Sequence, residues 1–113
     1  MTGCIFCRIA AGEAPAQVEF ADDRLVVFRD LAPRAPVHLL VIPRQHVASL
    51  AAARREDAGL LGDLLLAAAA AAARAGVADG FRVVTNTGPG AGQSVHHLHL
   101  HVLGGRLLSW PPG

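Results

Sequence analysis

Four of the chain's six histidines fall in one short stretch, His96-His97-Leu98-His99-Leu100-His101-Val102-Leu103. Successive side chains of a β-strand point to opposite faces. The strict alternation of apolar residues favours a strand here over a helix, and it puts His97, His99 and His101 on one face. His96, Leu98, Leu100 and Val102 take the other face, toward a core. A single histidine is most often a hydrogen-bonded core or surface residue. Three on one strand face are harder to explain that way, because burying each without a partner costs free energy. A metal, an anion or a reaction has to justify them.

Two chemistries suit such a row. Three imidazoles can hold a zinc ion with an open position for water, as a hydrolase would. Alternatively, one imidazole attacks phosphorus and its neighbours stabilise the oxyanions. Cys4-Ile5-Phe6-Cys7 is a CxxC with only three residues before it, too few for the strand that a redox βαβ unit wants. The zinc-hydrolase reading leaves Cys4, Cys7 and His46 unexplained. The nucleophile reading lets the histidine at the strand's start join them in a closed Cys₂His₂ set.

Other segments must position these groups. Residues 9–15 read as a short helix or turn ended by Gly12 and Pro15. Residues 17–20 and 25–29 read as strands joined at Asp22-Asp23. Asp30 is either a turn residue bonding its own backbone or a carboxylate for a ligand's hydroxyl pair. Residues 37–42 form a third strand stopped by Pro43, with His38 inside it and His46 beyond. Residues 55–75 form the main helix, with Glu56 and Asp57 in the first turn, Arg74 in the last and Gly76 to stop it. Leu61, Leu64, Leu65 and Ala68 give it one apolar stripe. Residues 81–86 are a fourth strand. The loop at 87–94 is glycine-rich but lacks the Gly-Lys-Ser/Thr ending of a P-loop. Beside three imidazoles it reads as an anion nest. The tail carries the single tryptophan, Trp110, as a docking anchor on its own domain or a partner chain.

The totals narrow the class. A chain of 113 residues is one domain, 1–113, and 52% hydrophobic residues suffice for a core. A net charge of +1 argues against nucleic-acid or polybasic membrane partners. The opening Met1-Thr2-Gly3-Cys4 lacks a leader's basic and apolar pattern, so a cytoplasmic protein is expected.

Read together, several motifs resemble one family. His97-Leu98-His99-Leu100-His101-Val102-Leu103 matches the His-φ-His-φ-His-φ-φ signature of the histidine triad (HIT) family, φ being apolar. Phe28-Arg29-Asp30-Leu31-Ala32-Pro33, His38-Leu39-Leu40-Val41-Ile42-Pro43, Gly92-Gln93-Ser94-Val95, and Gly104-Gly105-Arg106 through Trp110-Pro111-Pro112-Gly113 resemble its nucleotide-binding (Hint) branch, purine nucleoside phosphoramidases. The resemblance implies an α+β fold: a five-stranded antiparallel sheet with one long and one short helix, paired into a homodimer. It implies hydrolysis of a phosphorus–nitrogen bond in a purine nucleoside phosphoramidate, or else an AMP-binding regulatory or scaffold module without turnover. By motif position His99 is the nucleophile, with a backbone carbonyl near His97 fixing its tautomer. His101 bonds a phosphate oxygen, and Ser94 helps to protonate the leaving amine. Gly92 and Gln93 offer backbone N–H groups, Asn86 a side-chain contact, and Asp30 accepts from the ribose. Phe6, Ile9, Phe28, Leu31 and Leu40 fall at the purine pocket, and the role of His38 stays open. The CxxC members of the family further imply a structural zinc on Cys4, Cys7, His46 and His97. One departure is His96, where members commonly carry an aromatic residue; by alternation it faces away from the triad.

Overall fold

A computed structural model describes residues 3–113. Met1 and Thr2, part of the opening read above against a leader, lie outside the described residues. The chain runs through a short helix α1 (Ile5–Ala10) and strands β1 (Val18–Ala21), β2 (Leu25–Arg29) and β3 (Val37–Pro43). The long helix α2 (Ala58–Arg74) follows, then β4 (Phe81–Val84) and β5 (Leu100–Gly104). The five strands make one antiparallel sheet in the order β1-β2-β3-β5-β4, so the fold is α+β as the resemblance implied.

Both faces of the central strands are covered, which is why β2 and β3 are apolar almost throughout. Leu25, Val27, Leu39, Val41, Leu100 and Val102 pack under α2. Val26, Phe28, Leu40 and Ile42 pack under Phe6 and Ala10 of α1. The imidazole row lies on the α1 side.

The main helix departs from its expected span and phase. Its first turn, Arg55–Asp57, is a 3-10 turn in which the Asp57 carboxylate accepts from the Arg54 N–H at 2.9 Å. The α-helix proper starts at Ala58. The buried stripe is Leu60, Leu64, Ala68, Ala71 and Ala72; Leu61 is only partly buried and Leu65 is exposed. The alanine run satisfies any phase of a 3.6-residue period, so the leucines alone could not fix the face. Small residues at 68, 71 and 72 bring the helix close to the sheet. Gly76, at φ +81°, ends it. Among the described residues, no helix is long and apolar enough to cross a membrane.

Candidate active site

Ladder pairing of β5 begins at Leu100, so His97 and His99 precede the strand instead of lying within it. This corrects the expected span, and the cause is local. The Leu98 N–H bonds the Val47 carbonyl in the loop after β3, and the His97 carbonyl accepts from the His99 ring, each at 2.6 Å. The Leu98 N–H is thereby spent outside the ladder. The alternation holds from Leu98 on: Leu98, Leu100 and Val102 join the core under α2, while His99 and His101 line a cleft on the other side; His96, expected on the core face, is exposed.

Each ring has a partner that decides which nitrogen carries its proton, because a carbonyl only accepts and a backbone N–H only donates. His99 donates from Nδ1 to the His97 carbonyl, which leaves Nε2 with a free lone pair. His97 donates from Nε2 to the Pro43 carbonyl at 2.8 Å, which frees its Nδ1. His38 accepts at Nδ1 from the Arg34 N–H at 3.0 Å, so its proton sits on Nε2, 2.9 Å from His101 Nδ1. His101 accepts that bond and keeps its own proton on Nε2. Cross-strand register makes the contact possible: Leu40 pairs with His101 and His38 with Leu103, so the two imidazoles are diagonal neighbours on one face.

The three triad histidines therefore do not converge on one point, and the three-histidine metal reading is set aside. His97 Nδ1 instead lies 3.3 Å from Cys4 Sγ and 3.5 Å from Cys7 Sγ; His46 Nδ1 is 3.3 Å from Cys7 Sγ and 3.2 Å from His97 Nδ1. The four ligand atoms lie within 4.8 Å of one another. Two thiols and two imidazole nitrogens, one of them freed by the Pro43 bond, suit a tetrahedral metal ion. Asp30, His38 and His101 form a second group of that size. There the Arg34 N–H holds the His38 proton on the atom that a cation would need. We read that group as a hydrogen-bonded relay.

Burial pushes the His38 and His97 pKa values down. His101 is lowered to about 4, by burial first and then by the neighbouring His99 and His38 rings, against an opposing pull from Asp30. At neutral pH His101 is uncharged, as its role of acceptor on one side and donor on the other requires.

The cleft holds about 270 Å³. Its apolar lining comes from Ile5, Phe6 and Ile9 of α1 with Phe28, Leu40 and Val95, and its polar groups include Asp30, Ser94, His99 and His101. The Phe6 ring stands edge-on to both Phe28 and His99, with centroids at 5.5 and 5.1 Å. Leu31 lies at its rim, almost fully exposed. The turn reading of Asp30 holds, since Oδ1 accepts from the Ala32 N–H at 2.8 Å, while Oδ2 lies 3.3 Å from His38 Nε2.

Three expected groups stand differently. The N–H groups of Gly92 and Gln93 bond the Pro89 and Gly88 carbonyls at 3.1 Å, so the loop satisfies them itself instead of offering them to a phosphate. The buried Gln93 side chain braces the loop against Gly88, Ala48 and Val95. Asn86 lines a separate depression with Arg82 and Arg106. Sequence reasoning missed Ile5 and Val95, each beside a residue it had named. It also left His38 without a partner, since only the strand register supplies one.

The fold and the cleft define a small α+β protein with a lone-pair imidazole on one sheet face and a Cys₂His₂ cluster at its edge. A family model described as scavenger mRNA decapping enzyme C-terminal binding matches residues 3–109. An uncharacterised HIT-like protein of Synechococcus elongatus is 54% identical over 109 residues, 96% of each chain. A HIT family hydrolase from Legionella pneumophila superposes with a TM-score of 0.96 at 46% identity, covering 98% of this chain and 100% of that one. A histidine triad nucleotide-binding protein from Candida albicans gives 0.80 at 30% identity, covering 88% and 73%. The chain belongs to the histidine triad family.

Proposed function

We propose that this chain hydrolyses purine nucleoside phosphoramidates through a covalent nucleotidyl intermediate on His99. One observation carries the reading: His99 has its Nδ1 proton fixed by the His97 carbonyl and its Nε2 lone pair free, in a cleft that also presents Asp30, Ser94 and His101. The likeness to a protein named a hydrolase and to one named nucleotide-binding supports it.

In this reading the purine lies among Phe6, Ile9, Phe28, Leu31 and Leu40, and Asp30 accepts from the ribose hydroxyls with lone pairs beyond those facing Ala32 and His38. His99 Nε2 attacks phosphorus as the phosphorus–nitrogen bond breaks. The His101 Nε2–H donates to a non-bridging oxygen, where negative charge accumulates. The leaving amine takes a proton with help from the Ser94 hydroxyl. Water then attacks the same phosphorus, releasing the nucleoside monophosphate and free His99. Contacts from Asn86, Gly92 and Gln93 would require the 87–94 loop to rearrange around the phosphate.

Zinc is the metal we assign to Cys4, Cys7, His46 and His97, where it would brace α1 against the His97 end of the triad. We further assign a homodimer, supported by the outer edge of β4 and by the exposed Leu65, Leu66, Leu107 and Trp110, and a cytoplasmic location.

The test is incubation with adenosine 5′-phosphoramidate and intact-mass measurement under rapid quench. We expect release of AMP and a transient adenylyl adduct that maps to His99. A protein that binds AMP but turns over no phosphoramidate would instead be a nucleotide-binding regulatory or scaffold module.

A further inference from the structure

The Gly104-Gly105-Arg106 motif lies outside the cleft, and nothing in the reading above uses it. Arg106 donates from Nε to the Arg34 carbonyl at 2.9 Å, bridging 72 residues of sequence. Arg34 is also the residue whose N–H fixes the His38 tautomer. It is thus held from both sides, by Arg106 at its carbonyl and by His38 at its N–H.

Little else holds this loop in place. Residues 31–36 have no regular secondary structure, and Pro33 and Pro36 have no N–H to donate. The Ala32 N–H is tied to Asp30 at the loop's start. At its end Gly105 sits so close to the Pro36 ring that an added Cβ would lie 3.0 Å from it, at a φ of +90°. Between those points Arg34 hangs on Arg106. If its N–H drifts off His38 Nδ1, that nitrogen can accept the ring's proton. His38 Nε2 then becomes an acceptor facing two others, His101 Nδ1 at 2.9 Å and Asp30 Oδ2 at 3.3 Å. The pair recovers only if His101 moves its own proton to Nδ1, and the cleft then loses its Nε2–H.

We infer that Arg106 is a positioning residue: by gripping the Arg34 carbonyl it keeps both His38 and His101 as Nε2–H tautomers, with the His101 proton available to the reacting group. The effect on rate rests on the phosphoramidase reading; the effect on the tautomers does not.

The test pairs imidazole NMR with kinetics. Long-range proton–nitrogen correlation on the full chain labelled with ¹⁵N-histidine distinguishes the two neutral tautomers. The wild type should show single Nε2–H forms for His38 and His101. Arg106→Ala should show mixed or Nδ1–H forms, with kcat falling by about tenfold or more, as for other lost supporting contacts. The affinity for adenosine, which carries no phosphate for His101 to bond, should hold, because the purine pocket is untouched. Arg106→Lys, which still carries a donor, should recover part of both effects. Unchanged tautomers in Arg106→Ala, with or without a slower rate, overturn the inference. If Arg106→Ala does not fold, Arg106→Met, which keeps the bulk without a donor, gives the same readout; if neither folds, Arg106 serves the fold at large and the inference falls. A wild type with fixed tautomers and no turnover would sink the proposed function and leave the positioning relation standing.

Discussion

One proton per imidazole decides what each triad residue can do. With its proton on Nδ1, His99 presents the Nε2 lone pair that the proposed attack on phosphorus needs; with the proton on Nε2 it would present none. His99→Ala should therefore lower kcat by roughly 10⁴ or more while AMP still binds, checked by steady-state kinetics beside calorimetry. His38 and His101 bear on stability as well. Both have folded pKa values below their ordinary 6.5, chiefly through burial, with His101 near 4. Between about pH 6.5 and 4 the unfolded chain therefore binds more protons than the folded one, and stability rises with pH across that window. The melting temperature of the nucleotide-free protein should fall as pH drops from 6.5 toward 4, and should fall less in a folded His38→Gln variant. At this scale the sequence was only partly informative. The alternation around Leu98, Leu100 and Val102 was enough to put His99 and His101 together. The His38 partnership was hidden, because it depends on a strand register and on a backbone N–H that no side-chain pattern encodes.

Elements bring these residues within reach of one another, and α1 shows how. It is much the shorter of the two α-helices, yet Phe6 and Ile9 on it wall the cleft while Cys4 and Cys7 reach back to His97. Six residues cannot hold a helix in water unaided. Metal analysis should find about one zinc per chain if the proposed site is filled; chelation, or Cys4→Ser, should then lower the melting temperature and weaken AMP binding together. Loss of zinc without loss of nucleotide affinity would separate the brace from the pocket. At the end of β5, a Cβ on Gly104 would lie 2.9 Å from Val77 Cγ2 and 3.2 Å from the Gly80 carbonyl. Gly104→Ala should destabilise the fold by about 1–3 kcal/mol in denaturant titration, since the crowded side includes backbone. The strands were legible as apolar runs between turn residues. The start of β5 was not, because the His97 carbonyl and the Leu98 N–H bond outside the ladder.

For the molecule as a whole, the five-strand count and the helix between β3 and β4 followed from the order of apolar segments. The position of β5 between β3 and β4 was not legible, because periodicity is silent on strand order. The two sheet faces carry separate duties: one is a dry core under α2, and the other holds the cleft and the Cys/His cluster. The proposed dimer can be weighed by sedimentation, where twice the 11.7 kDa chain mass is expected. A Leu65→Glu, Leu66→Glu variant should shift the equilibrium toward monomer if α2 contributes to the contact.

The tail adds a practical consequence. Trp110 is the single indole of the chain, lies well exposed, and has the Arg82 guanidinium 5.9 Å from its ring, while Arg82 also bonds the Ser109 carbonyl at 2.8 Å. With no tyrosine in the sequence, the protein's ultraviolet emission comes almost wholly from that one end. The molecule thus carries its own optical probe of where the tail lies, readable without attaching a dye.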